Sequence, residues 1–437
     1  KSTKPKAGAD KIDDLRGKGP KWRDLLPVSS EIDELPIDLV REIISQVRDS
    51  GDTALRDLTQ KFDGVTLDEL TVNEKHLEDA YNSISKEFKN ALNASADAIV
   101  SYQKTQLPEH TVLEDNGLCI ETFQKPVASA GCYVPGGLAS YPSTVLMTAL
   151  IAKVAGVERV VVTVPPFSEE GISIETLSAA FVAKVDAVHP IGGAQAIAAL
   201  AYGTESVRPV DVIVGPGNVY VSLAKQEVAG QVGVPASFAG PSEIMVIADS
   251  SAPAKFVAVD LAVQAEHGPG GKSWLVTTDE NFAIEVVNEL ENLVENSSRG
   301  ENIKSTFETG GYCALVDDLD SAVAVVDAVA PEHLQIMTND PAEVAKKVSN
   351  AGAIFCGNWS PASLGDYLAG PSHVLPTAGT ARFAGALTVN DFMRDIHIVT
   401  STEKALNRLG PHIFNFARSE GLESHAESIR LRGVEIE

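Results

Sequence analysis

The first apolar residues of this 437-residue chain recur with a helical period. Between 36 and 62, Val40, Ile43, Ile44, Val47 and Leu55 fall on one stripe behind Pro36, predicting an amphipathic helix. Over 74–107, Leu77, Tyr81, Ile84, Phe88 and Leu92 predict two more, and residues 111–129 predict strands. From 158 the pattern changes to short β-branched runs that alternate with longer helical ones: VERVVVTVPP, ISIETLSAAFVAKV, AVHPIGG, AQAIAALAYG, DVIVGPG and NVYVSLAKQEVAG. A second such series runs from IMVIAD at 244 to AIFCG near 357. Consecutive strand–helix–strand units predict two parallel sheets faced by helices, split near the glycines and prolines of 231–241. Residues 1–24 lack periodicity and predict a flexible or loosely docked arm. The tail from about 386 predicts mainly helix.

Composition narrows the classes. With 35 Lys+Arg against 60 Asp+Glu the net charge is -25, a poor basis for gripping phosphate backbones. At 44% apolar and 22% charged residues the chain is an ordinary globular one. Lys153 interrupts the longest apolar run, Val145 to Val157, so no membrane span is expected. The scattered Cys119, Cys132, Cys313 and Cys356 form neither a disulfide framework nor a CxxC pair. A cytoplasmic, multi-domain protein without nucleic-acid or membrane partners is expected.

Two such sheets invite a nucleotide cofactor, although GxGxxG is absent. GPGNVY (215–220) either offers amide N–H groups to an anion at a helix N-terminus or is simply a tight turn. GCYVPGGLASYPSTVLM (131–147) either borders a ligand or is a structural turn. In QAEHG (264–268), Gln264 and His267 share a helix face, spaced for a metal or for capping carbonyls. APEHLQI sets Glu332 and His333 before a strand, a pairing suited to acid–base work. GDYLAGPSHVLPT carries Asp366 and His373 in a Gly/Pro-rich loop, where functional side chains concentrate. SEGLESHAESIR, by itself a solvated helix, carries Glu420 and His425.

The segments GCYVPGG, YPSTVLM, GGAQAIAALAYGT, VGPGNVYV, AGPSE, QAEHG, APEHL, NAGAIF, GDYLAGPSHVLPT and EGLESH occur in this order. On them the chain, from about 30 to 432, resembles the histidinol dehydrogenases, which catalyse the last two steps of histidine biosynthesis. The resemblance implies an α/β fold of two incomplete Rossmann-like domains with small extra N- and C-terminal segments, in an intertwined homodimer. The implied divisions are an arm at 1–29, a discontinuous domain of 30–132 and 240–385, a second domain at 133–239, and a C-terminal segment at 386–437. It implies NAD+ and one zinc per subunit, with Gln264, His267, Asp366 and the other subunit's His425 as ligands. Glu332 and His333 would be the acid–base pair, and Tyr133, Gln195 and Asn218 would contact NAD+. Ser242, His373 and Glu420 would contact L-histidinol together with His333 and the metal ligands. The chain departs from the commoner pattern at Gly268, where many members carry Asp, at Val212, where Lys is frequent, and in VGVPAS before FAGPSE. The alternatives are a zinc/NAD dehydrogenase of another small polar alcohol such as sulfopropanediol, a zinc hydrolase and a zinc-stabilised assembly protein. Ser242, Glu243 and Glu420 favour histidinol.

Overall fold

The structure is a computed structural model that describes residues 12–18, 26, 35–136, 140–166, 171–235, 240, 242–266 and 270–435. A short strand β1 (Ile12–Asp14) precedes helices α1 (Ile37–Asp63), α2 (Glu74–Ser83) and α3 (Lys86–Lys104). Strands β2 (Thr111–Asp115), β3 (Leu118–Pro126) and β4 (Ser129–Tyr133) lead to α4 (Pro142–Val145), a π-helical turn (Leu146–Leu150) and α5 (Ile151–Ala155). The alternation continues through β5 (Arg159–Thr163), α6 (Ile174–Val182), β6 (Ala187–His189), α7 (Gly193–Tyr202), β7 (Val212–Val214) and α8 (Val219–Val228).

These strands form a parallel sheet in the order β6-β5-β4-β7, so the winding reverses between β4 and β7. Side chains alternate across it. Val161 and Ile213 face a core with α1, α7 and α8, while Val160 and Val162 face one with α3, the π turn and α6. The stripe read from the sequence is the buried face of α1: Val40, Ile43, Ile44, Val47 and Leu55 all pack there. Past β7 the chain approaches the end of β4 so closely that a Cβ on Gly215 would lie 2.0 Å from the Tyr133 carbonyl oxygen, and Gly215 has φ +108°. Only glycine fits that turn.

The second series is β8 (Glu243–Ala248), α9 (Ala254–Ala265), β9 (Lys272–Thr277), α10 (Glu280–Asn296), α11 (Gly300–Gly310), β10 (Gly311–Leu315), α12 (Leu319–Val329), β11 (His333–Met337), α13 (Pro341–Ala345), β12 (Ala353–Cys356) and α14 (Ala362–Tyr367). Its sheet, in the order β1-β10-β9-β8-β11-β12, is parallel throughout. Ile244 and Val246 pack towards α9 and α10, and Met245 and Ile247 towards α12 and α13. Both parallel sheets therefore match the expectation from the sequence. The N-terminal arm is more ordered than expected over 12–14, where it forms the edge strand beside β10.

The tail is mainly helical, as the sequence predicts, but it also holds one strand. Met393–Ser401 is a strand, β13, paired antiparallel with β3 along its whole length, in a sheet ordered β13-β3-β2. Ile396, Ile398 and Val399 are β-branched, and a short apolar run does not separate strand from helix until its partner is known. Helices α15 (Glu403–Ser419) and α16 (Glu423–Arg430) follow and pack against each other.

Candidate active site

The carboxyl edge of the smaller sheet and the amino edge of the larger one carry most of the residues singled out from the sequence. On the larger sheet, α12 ends in Ala330, a buried residue in the left-handed region at φ +54° whose N–H donates to the Val326 carbonyl at 2.7 Å. Alanine adopts this conformation at a cost, and such strain collects at functional positions. It turns the chain directly into Pro331, Glu332 and His333. A Cβ on Gly352 would stand 2.5 Å from the Glu332 carbonyl oxygen, which explains the glycine of NAGAIF.

Glu332 and His333 are both buried, and the backbone of Glu243 holds them. The Glu243 N–H donates to Glu332 Oε2 at 2.9 Å, and its carbonyl accepts from His333 Nδ1 at 3.1 Å. A carbonyl only accepts, so Nδ1 carries the proton and Nε2 is the open nitrogen. Nε2 stands 3.5 Å from Asp366 Oδ1 and has no hydrogen-bond partner among the described residues. Burial disfavours the charged ring, but the carboxylates of Glu332 and Asp366 outweigh it and raise His333 to about 10. Burial pushes the Glu243 carboxyl up to about 7, with Glu332 adding to the push and Lys272 opposing it.

The loop after α14 joins this cluster to the smaller sheet. His373 Nδ1 donates to the Asp366 carbonyl at 3.1 Å, and its Nε2 accepts from Thr144 Oγ1 on α4 at 3.0 Å. Burial lowers the His373 pKa, in keeping with a neutral ring. Ser372 Oγ donates to the Met147 carbonyl at 3.1 Å, so the loop also meets the π turn, an irregularity often found at functional sites.

At the carboxyl edge of the smaller sheet, the hydroxyl of Tyr133 accepts the Gly193 N–H at 3.1 Å, and burial pushes that hydroxyl up to about 12. Gln195 is buried on α7, close to Gly193. Asn218 caps α8, its Oδ1 accepting the Val221 N–H at 3.1 Å. Behind the Gly215 turn, the buried ammonium of Lys225 donates to the Gly215 carbonyl.

Gln264 and Asp366 sit on α9 and α14, which pack together. Gln264 is 3% exposed, and no side-chain hydrogen bond engages it among the described residues. Its amide oxygen and the Asp366 carboxylate are donors that suit a borderline cation such as zinc. Among the described residues no group of three or more His, Cys, Asp or Glu could hold a metal. Gln264 is outside those residue types, and His267 lies outside the described residues. Glu420 and His425 are exposed, at the end of α15 and on α16. The fold thus brings together Glu332, His333, Asp366 and His373. Ser242 immediately precedes β8 and accepts the Lys272 N–H at 3.1 Å. Sequence reasoning did not single out Lys272, Lys225 or Ala330. Ala330 opens the APEHL segment, but nothing in its residue type marks it, and only the folded contacts mark the two lysines.

A sequence model of the histidinol dehydrogenase family matches residues 29–433. The chain is 45% identical over 391 residues to the histidinol dehydrogenase of Parasynechococcus marenigrum, covering 89% of each chain. It is 45% identical over 395 residues to that of Bacillus cereus, covering 90% of this chain and 91% of the relative. The crystal structure of histidinol dehydrogenase from Elizabethkingia anophelis superposes with a TM-score of 0.92 at 31% identity, over 96% of this chain and 98% of that one. With a family match over most of its length, the chain belongs to the histidinol dehydrogenases and is an NAD-dependent oxidoreductase.

Proposed function

We propose that the chain oxidises L-histidinol to L-histidine in two successive steps through the aldehyde, with one zinc per subunit. The observation that supports it best is the buried Glu332–His333 pair set beside Asp366. NAD+, when bound, accepts the hydride of each oxidation, and zinc, when bound, holds the substrate by its nitrogen atoms. Gln264, His267, Asp366 and His425 would hold the zinc. Asp366 is one of these ligands, and a cation there would cancel its pull on the His333 ring.

In the first oxidation His333 Nε2 takes the alcohol proton. Glu332 then takes a proton from the water that hydrates the aldehyde, and His333 takes the proton of the hydrate in the second oxidation. Ser242, His373 and Glu420 orient the substrate. On the four-stranded sheet the order β6-β5-β4-β7 is that of a doubly wound nucleotide-binding half, which supports a cofactor side within 133–239. Tyr133, Gln195 and Asn218 would border NAD+ at its carboxyl edge. The exposure of Glu420 and His425 supports a homodimer in which these residues complete the site of the second copy.

The test is NADH yield from L-histidinol and NAD+. Two NADH per histidinol, lost on chelation and restored by zinc, is the expected result. No NADH from histidinol but turnover of sulfopropanediol would instead assign a different small alcohol.

A further inference from the structure

We propose that Phe355 is a positioning residue whose ring fixes how closely the Asp366 carboxylate and His333 Nε2 approach each other. The proposal rests on the reading that Asp366 holds zinc. It concerns a side chain that acts through its two neighbours, one on a strand and one on a helix.

His333 and Phe355 stand on the adjacent parallel strands β11 and β12, where His333 pairs with Ala353 and Gln335 with Phe355. Residues two apart on a strand share a face, so His333 and Phe355 project to the same side of the sheet. Their ring centroids are 6.2 Å apart, with 18° between the planes. Offset rings at such a spacing attract. The Glu243 carbonyl already holds His333 Nδ1 at 3.1 Å. The ring alongside limits the remaining swing of the imidazole and keeps Nε2 3.5 Å from Asp366 Oδ1.

The far end of the same ring meets α14. A Cβ on Gly365 would stand 2.5 Å from Cζ and 2.6 Å from Cε1 of Phe355. Gly365 lies inside α14, in helical backbone that any residue adopts. Glycine weakens a helix, so the space taken by the ring is what calls for it here. The ring has little freedom to move aside, because it also packs against the core beneath α9 and α10. Helix α14 therefore rests on Phe355 through Gly365, and Asp366 is the next residue. A single ring thus spaces the base from the carboxylate, in a site where shifts well under 1 Å matter.

The experiment titrates zinc into the metal-stripped full chain against a chromophoric chelator, and measures kcat and both KM values in the zinc-loaded protein. It uses the parent, Phe355→Leu, Gly365→Ala and the double variant. Melting curves taken in chelator establish that each variant is folded. Phe355→Leu should weaken zinc binding about tenfold, the scale for losing a group that orients a ligand. It should lower kcat and leave KM for NAD+ at the parent value. Gly365→Ala should do the same by pushing α14 off the ring. With leucine at 355 the added methyl meets no ring, so the double variant should bind zinc as Phe355→Leu does. If Phe355→Leu does not fold, Phe355→Met takes its place in both proteins, because its flexible end can yield to the methyl. Parent-like zinc affinity in either single variant overturns the proposal. So does a double variant in which the two losses multiply, or a matching rise in KM for NAD+, which would mark general loosening. Asp366→Asn in the same titration separates the two failures. If that variant binds zinc like the parent, the reading of Asp366 as a ligand is wrong. If it loses zinc while Phe355→Leu keeps it, only the positioning role is wrong.

Discussion

His373 is tied to Thr144 by a hydrogen bond of 3.0 Å that joins the loop behind Asp366 to the first helix after β4. Because Nδ1 already donates to the Asp366 carbonyl, Nε2 must accept from the Thr144 hydroxyl. Thr144→Val keeps the shape and leaves that nitrogen unpaired in a buried site. The expected loss is about 1–2 kcal/mol, or roughly tenfold in KM for histidinol. Thr144→Ser should restore most of it. A Thr144→Val variant with the parent KM beside a damaged Thr144→Ser would show that the methyl group's packing matters and the hydroxyl does not.

The division of labour between Glu332 and His333 makes a second prediction. Glu332→Gln keeps an acceptor for the Glu243 N–H but cannot take a proton from water. Aldehyde oxidation should fall by about 100-fold or more, the usual scale for a lost general base, while alcohol oxidation falls much less. Assaying histidinol and histidinal separately reads both. Equal losses would remove Glu332 from the hydration step.

Asp366 lies in the buried cluster, whereas His425 is exposed on α16. If each site draws these residues from two copies, Asp366→Asn and His425→Ala subunits are both inactive alone. Unfolded together and refolded at equal amounts, they form hybrid dimers with one intact site. Recovery of about a quarter of the parent activity is expected from random pairing. No recovery, with dimers present by sedimentation, would place both residues in one subunit's site.

Zinc held by Gln264 and Asp366 would join two packed helices and so stabilise the fold apart from any turnover. At a free zinc concentration about 100-fold above its Kd, the linkage gives about 2.7 kcal/mol. Chelation should lower the melting temperature, zinc should restore it, and Asp366→Asn should melt at the same temperature with or without the metal. A melting temperature indifferent to chelation would argue against a resident metal.

Much of this was legible in the sequence because it is local. The α1 stripe, the strand–helix alternation and the sites of Glu332, His333, Asp366 and His373 all show in short windows. What was not legible depends on pairing across the chain. Met393–Ser401 becomes a strand because β3 offers it an edge. Lys272 meets Glu243 only through the register of two parallel strands. Ala330 takes a conformation usual for glycine because the chain must pass at once from α12 into the catalytic segment, and nothing in its side chain announces that. Glu420 and His425 sit on an ordinary solvated helix, and their exposure in the single chain leaves their partners to a second copy.

Lys225 offers a prediction about pH and stability. Burial lowers its ammonium to about 8 from the usual 10.5. Between these values the unfolded chain binds more protons than the folded one, so this group makes stability rise with pH across that window. Below pH 8 the full cost of burying the charge is present, and above about 10.5 it is gone. Lys225→Met removes the titration along with the hydrogen bond to the Gly215 carbonyl. Relative to the parent, the variant should therefore lose stability steadily as pH climbs from 8 to 10.5. Denaturant unfolding of both proteins at several pH values measures that difference. A difference that stays constant over the window would mean that Lys225 titrates alike in the folded and unfolded chains.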